Sequence, residues 1–256
     1  MKPTAADVRR ALAERADPVD AAHLARFFQV RPGGYGEGDV FVGVRVPAVR
    51  AVARRYADLP LAEVRALLDD REHEHRLAAL VVAVEAFRRA LRPRTADPAL
   101  RARLHALYLD ALRAGRVNSW DLVDVSAEWL VGEHLRTSPG GEDGGEGDED
   151  GGAHVVEELL ADPDLWRRRA GVMASFAATK AGDPGPALVA AAAVLDDRRD
   201  LVQKAAGWML REVGKRVDRK TLVDFLRAHA PRMGRTALSY ATEHLDPGLR
   251  AELRRR

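Results

Sequence analysis

The sequence predicts an all-α protein. Three observations carry that reading. Apolar residues recur at helical spacing along most of the chain, and no segment alternates at period two between turn signals. Helix-start residues recur as well: Thr4 can cap a first helix, and Pro47, Pro60 and Pro163 stand where the first turn of a helix tolerates proline. A weak internal repeat adds the third observation.

The first helix follows Thr4 and places Val8 and Leu12 on one face. A second is expected near 18–29. Residues 31–46, RPGGYGEGDVFVGVRV, then form a Gly-rich loop, and Val40-Phe41-Val42-Gly43-Val44 is a short β-like stretch within it. Helices resume near 47–57, 60–70, 73–91, 98–114 and 119–135. Residues 137–152, TSPGGEDGGEGDEDGG, hold no apolar anchor and are expected to be disordered. Further helices are expected near 154–161, 163–181, 185–195, 198–215, 219–229, 232–243 and 247–255.

The repeat aligns Leu68-Asp69-Asp70, Leu160-Ala161-Asp162 and Leu195-Asp196-Asp197. Ten residues after each leucine stands an alanine (Ala78, Ala170, Ala205), and eight after it Arg76, Arg168 or Gln203. This is the pattern of stacked helix pairs, in which a short turn leads into a longer inner helix. It implies a curved solenoid of HEAT-like antiparallel helix pairs with a concave basic groove, a single domain over 1–256.

Composition narrows the function. The 256 residues contain no cysteine, which removes disulfides, thiolate zinc sites and a cysteine nucleophile. No apolar run approaches the roughly 20 residues of a membrane span, and the N-terminus lacks a signal-peptide core, so a cytoplasmic protein without a membrane role is expected. The 41 Lys and Arg face 39 Asp and Glu, but six of the acids fall within residues 141–150. With those set aside, 41 cations face 33 acids, a balance of +8 that suits a polyanion partner.

Three segments could carry chemistry. In Asn118-Ser119-Trp120-Asp121-Leu122-Val123-Asp124, Asn118 or Ser119 caps a helix and Leu122 and Val123 point to the core. Trp120 and Asp124, four apart, share a face. A carboxylate beside an indole can stabilise a developing carbocation. On these residues alone the plainer reading stands ahead: Asp121 a helix-dipole partner, Asp124 a solvated acid, Trp120 core. In Leu165-Trp166-Arg167-Arg168-Arg169 the arginines fan around roughly 200° of a helix, so one or two face a given groove. Trp166 reads as packing. In the stretch from Leu201 to Lys215, residues Lys204, Trp208, Arg211 and Lys215 form one stripe, the composition of a nucleic-acid surface. Gly207 lets a neighbouring backbone approach. His73-Glu74-His75 is a poor metal pair on a helix, and Gly34-Tyr35-Gly36-Glu37-Gly38 lacks the context of a nucleotide loop.

Taken together, these segments, with Tyr35 to Asp39, Gly43 to Pro47 and His73 to Leu77, resemble the AlkD-like DNA alkylation repair proteins, HEAT-like-repeat DNA glycosylases. The resemblance implies a catalytic Trp120 and Asp124, a cleft Arg169 and a second cleft tryptophan, Trp208. DNA contacts are expected at the stripe residues Lys204, Arg211 and Lys215, at Arg168 and Arg235, and at Phe27, which aligns with a cleft tyrosine of some members and keeps the ring without the hydroxyl. Ser119 replaces a frequent asparagine, Gly234 a common proline, and the acidic insert is extra. The implied reaction is hydrolysis of the N-glycosidic bond of N3- or N7-alkylated purines in duplex DNA, without base extrusion, by a monomer that needs no metal or cofactor. Asp121, on another face of the helix, is expected to matter little. The alternatives are a catalytically inactive HEAT-like protein binding distorted or branched DNA, and a protein-binding scaffold anchored by Trp208.

Overall fold

The structure is a computed structural model that describes residues 2–138 and 149–255. Among these residues the architecture is all-α, with no named strand; an isolated parallel bridge joins Val40 to Glu72. The chain divides into two compact units, Met1–Ser126 and Ala127–Arg256.

The first unit contains α1 (Ala5–Ala13), α2 (Pro18–Phe27), α3 (Val46–Arg55), α4 (Leu61–Leu68), α5 (His73–Ala90), α6 (Pro98–Arg113) and α7, which begins at Trp120 and runs to Ala127. Thr4 closes a capping box with Asp7, as its position before an apolar run suggested. The centre is α5, which packs against α3, α4 and α6 and buries Leu80, Val82 and Phe87. Val8 and Leu12 of α1, Val49 of α3, Leu67 of α4 and Leu104 and Leu112 of α6 complete the core. A 3-10 turn at Pro93–Thr95 was not foreseen in the sequence.

Helix α2 is different: none of its residues is buried. It is held by its ends. Asp17 accepts from the amides of Val19 and Asp20, Pro18 occupies its first turn, and Arg45 chelates Asp20 at 2.6 and 2.7 Å. At Gly43 the backbone has φ +88°, and a Cβ there would lie 1.9 Å from the Asp17 carbonyl, so only glycine fits.

The second unit opens with a π-helical segment, Glu128–Glu133, followed by α8 (His134–Thr137). Then come α9 (Glu149–Ala161), α10 (Leu165–Ala174), α11 (Phe176–Lys180), α12 (Gly185–Ala193), α13 (Asp200–Arg216), α14 (Arg219–His229), α15 (Arg235–Ala241) and α16 (Pro247–Arg254). Helix α13 packs against α10, α12, α14 and α15. The helix expected over 119–135 therefore changes winding at Glu128. Across that segment Gly132 admits the Ala174 carbonyl, which a Cβ would meet at 2.0 Å. The helix expected over 163–181 breaks at Ser175, whose Oγ donates to the Val172 carbonyl at 2.7 Å, a bond that competes with the helical ladder. Of the stretch expected to be disordered, Thr137 ends α8, 149–152 belong to α9, and 139–148 lie outside the described residues.

The repeat corresponds to equivalent places. Leu68, Leu160 and Leu195 are buried, as are Ala78, Ala170 and Ala205. Each leucine precedes the second helix of a pair by five residues: α5 from His73, α10 from Leu165, α13 from Asp200. That helix is the longer one in the first and third pairs, whereas α10, ended at Ser175, is shorter than α9. The pairs α4–α5, α9–α10 and α12–α13 are in contact.

Candidate active site and nucleic-acid interface

In the first unit the candidate site is built on α7. Leu122 and Val123 are fully buried, as their spacing predicted, which leaves Trp120 and Asp124 half-buried on the same helix. The Trp120 ring lies parallel to Phe28, with centroids 5.5 Å apart and 10° between planes. Phe27, 58% exposed, meets Trp120 edge-on at 6.3 Å. Phe28 also packs on Phe41 at 4.9 Å and against His73 at 5.0 Å, so an aromatic column runs from the Gly-rich loop to Trp120. Behind Asp124 lies Tyr108, fully buried. Burial pushes its phenol far above the usual range, and the Asp124 charge adds to this.

A polar network beside the column was not legible in the sequence. His73 is almost wholly buried, with Nδ1 2.8 Å from Asp39 Oδ2 and Nε2 2.8 Å from Asp121 Oδ2. Arg76 donates to Asp39 at 2.7 Å and to Asn118 at 3.2 Å. Burial opposes the His73 charge, but hydrogen bonds and attraction from Asp121 and Asp39 outweigh it and raise the imidazole to about 9. Burial likewise opposes charge on Asp39, yet His73 and Arg76 hold its carboxyl below the ordinary value. Glu74, the next residue, accepts from the amides of Val42, Gly43 and Val44 at 2.9–3.1 Å.

Two expectations are thereby corrected. Asp121 is more than a helix-dipole partner: its carboxylate lies 2.8 Å from a buried imidazole. The Ser119 hydroxyl does not cap α7 either; it is buried without a hydrogen-bond partner, and Asn118 is engaged by Arg76. Asp70, Glu72 and His75 bring three polar groups within 4.8 Å of one another, but Arg9 holds both oxygens of Asp70, which makes the group an ion-pair network.

In the second unit, Trp166 is buried, as a packing residue should be. Arg168 pairs with Asp197 at 2.9 Å. Burial opposes the charge of Asp197, but Arg199, two residues on, and Arg168 draw its carboxyl down to about 2. Arg169 is only 4% exposed and donates to the Leu201 carbonyl at the start of α13. Trp208 is half-buried on α13; its indole N–H donates to Glu212 at 3.3 Å, and its ring lies 6.1 Å from Phe176. Gly207 beside it admits α15, since a Cβ would meet the Ala237 carbonyl at 2.4 Å. The stripe on α13 is less cationic than its sequence suggests. Lys204 pairs with Asp200 at 2.7 Å, and Arg211 pairs with Glu212 and Glu243. Lys215 and, on α15, Arg235 are exposed. Trp120, Asp124 and Phe27 thus belong to the first unit, and Arg168, Arg169, Lys204, Trp208, Arg211, Lys215 and Arg235 to the second.

The fold is that of an all-α chain of packed helix pairs, with an indole and a carboxylate one turn apart in the first unit and a second half-buried tryptophan in the second. The family model for DNA alkylation repair enzymes matches residues 8–245, and the chain belongs to that family. Among solved structures, it is similar in fold to a predicted DNA alkylation repair enzyme from Enterococcus faecalis, with TM-score 0.63 and 15% identity over 91% of this chain and 98% of that one. No curated protein sequence matches it. Among the described residues, no helix is long and apolar enough to cross a membrane.

Proposed function

We propose that the protein is a DNA glycosylase that hydrolyses the N-glycosidic bond of N3- or N7-alkylated purines in duplex DNA, with the lesion left stacked. The observation that carries this reading is the Trp120–Asp124 pair on α7, its indole backed by Phe28. Family membership supplies the setting of alkylation repair.

Alkylation places positive charge on the base, so the purine departs neutral, taking both electrons of the bond to C1′. The sugar is left with oxocarbenium character, and water adds at C1′ while its proton passes to solvent. Asp124 stabilises the developing cation and orients the water; the Trp120 face attracts the same charge through its quadrupole. The chemistry as written requires no metal, nucleotide or amine nucleophile.

Trp208 packs along the sugar–phosphate backbone in this reading, and Lys204, Arg211, Lys215, Arg168 and Arg235 meet phosphates. The Lys204–Asp200 pair does not forbid it, because exposed ion pairs contribute only about 0–1 kcal/mol and a phosphate can compete for the lysine. Arg168 and Arg211, by contrast, also face the nearly buried Asp197 and Glu212 and have to reach a phosphate while those pairs stand. For Arg169 to clamp a phosphate, its guanidinium has to turn from the Leu201 carbonyl when DNA binds.

The test is base release. The full chain is incubated with a duplex carrying a single N7-methylguanine, and free base is sought by chromatography. Released base supports the proposal. Intact DNA bound with a steep salt dependence points instead to the catalytically inactive DNA-binding alternative.

A further inference from the structure

The sequence gives no reason to connect His73 with Trp120, 47 residues away, yet two independent paths join them. One is polar: His73 Nε2 meets Asp121, the residue after Trp120, at 2.8 Å. The other is apolar: the His73 ring packs on Phe28 and Phe41 at 5.0 and 4.5 Å, and Phe28 stacks on Trp120. We propose that His73 is the positioning residue of the reactive helix, a doubly protonated imidazolium that holds the first turn of α7 and, through it, the Trp120 and Asp124 side chains. This inference rests on the reading of those two residues as the reactive pair.

The geometry calls for both protons. A neutral imidazole has one N–H, and a carboxylate stands at hydrogen-bond distance from each ring nitrogen. The groups facing the ring are few. Asp39 comes from the Gly-rich loop and Asp121 from α7, while Arg76 of α5 acts through Asp39. Phe28 and Phe41 cover the ring and contribute no charge. Asp121 is the weaker holding point. Its side chain is 12% exposed against 2% for Asp39, and its Oδ1 is buried without a partner. Loss of one proton therefore releases Asp121 while Asp39 keeps Nδ1–H, and the start of α7 loses its tie. The imidazole is raised to about 9, so the release belongs on the alkaline side of neutrality.

Asp121→Asn separates positioning from a merely structural role. An asparagine amide can donate to a neutral His73 Nε2, so every hydrogen bond survives without the second ring proton. His73→Gln offers one amide to two carboxylates and fails at any pH. Ring and indole resonances are read by nitrogen-edited NMR on the full chain without DNA. In the natural protein, two His73 ring N–H signals are expected at neutral pH. One is lost with a midpoint near 9, and the Trp120 indole signal moves with it. In Asp121→Asn the indole should no longer follow that transition. In His73→Gln it should be displaced throughout, with base release slowed about 10²-fold, the scale of a small misplacement of reacting groups. A single His73 ring N–H at neutral pH, or an indole indifferent to His73→Gln, overturns the inference. These signals are read without DNA, so they decide it even if no base is released, a result that counts against the glycosylase reading alone.

Discussion

Asp124→Asn keeps the shape of the side chain and removes its charge. If Asp124 faces a developing oxocarbenium ion, single-turnover base release should fall about 10²–10³-fold, the usual cost of removing one such electrostatic element. DNA affinity should hold or rise slightly, because a carboxylate near phosphates is repelled. Asp121 cannot serve as the inert control that its place on another face suggests, since it binds His73. Asp58, exposed and paired with Arg89, is the better comparison. Two adjacent rings make a second prediction. Phe28 is 6% exposed and stacks on both Phe41 and Trp120, so Phe28→Ala should cost about 3–5 kcal/mol, as core phenylalanine truncations do. Phe27 is 58% exposed, and Phe27→Ala should cost about 1–2 kcal/mol, the value of its edge-on contacts with Phe28 and Trp120. Thermal melts of the two variants check the contrast. The Trp120–Asp124 spacing was legible in the sequence because it lies within one helix. Phe28, Asp39 and His73 were not, because ring stacking and buried ion pairs join positions whose separation follows no period.

At the scale of elements, Glu74 ties the Gly-rich loop to α5. Its carboxylate accepts from three consecutive amides, whereas a glutamine has one carbonyl oxygen to accept with and leaves an amide facing its NH₂, which cannot accept. Hydrogen bonds to a charged group contribute roughly 1.5–3 kcal/mol, so Glu74→Gln should lower stability by about 2 kcal/mol. Limited proteolysis should then cut within residues 31–46 sooner than in the natural protein. Element positions were largely legible: α5 was expected over 73–91 and runs from His73 to Ala90, and α14 matches 219–229. The errors have local causes. Ser175 diverts a helix carbonyl and ends α10, and the close approach at Gly132 accompanies a change of winding that no periodicity encodes. The role of His73-Glu74-His75 has no local signature, because His73 and Glu74 look outward from α5 to a loop and to another helix.

Over the whole molecule, two groups set opposite limits on stability with pH. His73 is raised in the folded state, so its contribution is complete below about 6.5 and is lost as pH climbs through about 9. Asp197 is depressed, so its contribution is complete above its ordinary value of 3.8 and is lost as pH falls toward 2. The melting temperature should therefore decline on both sides. His73→Gln should flatten the alkaline decline, and Asp197→Asn the acid one, though Asp39, also depressed, keeps part of the latter. The repeat was legible at this scale because each copy reuses the same buried leucine and alanine, whereas the division at Ser126 falls inside a helical stretch and leaves no mark in composition.

Helix α2 buries none of its own side chains, and that has a consequence in time. A segment anchored at its ends, without a packed face, can open without dragging the core with it, so its amide hydrogens need not wait for global unfolding. In deuterium exchange, the peptide spanning 18–27 should take up label well before the middle of α5, where Leu80 and Val82 lie in the core. Phe27 rides on this fast-opening segment. If duplex DNA lodges against Phe27, the same peptide should slow sharply when DNA is added, turning the least protected helix of the first unit into a built-in recorder of occupancy.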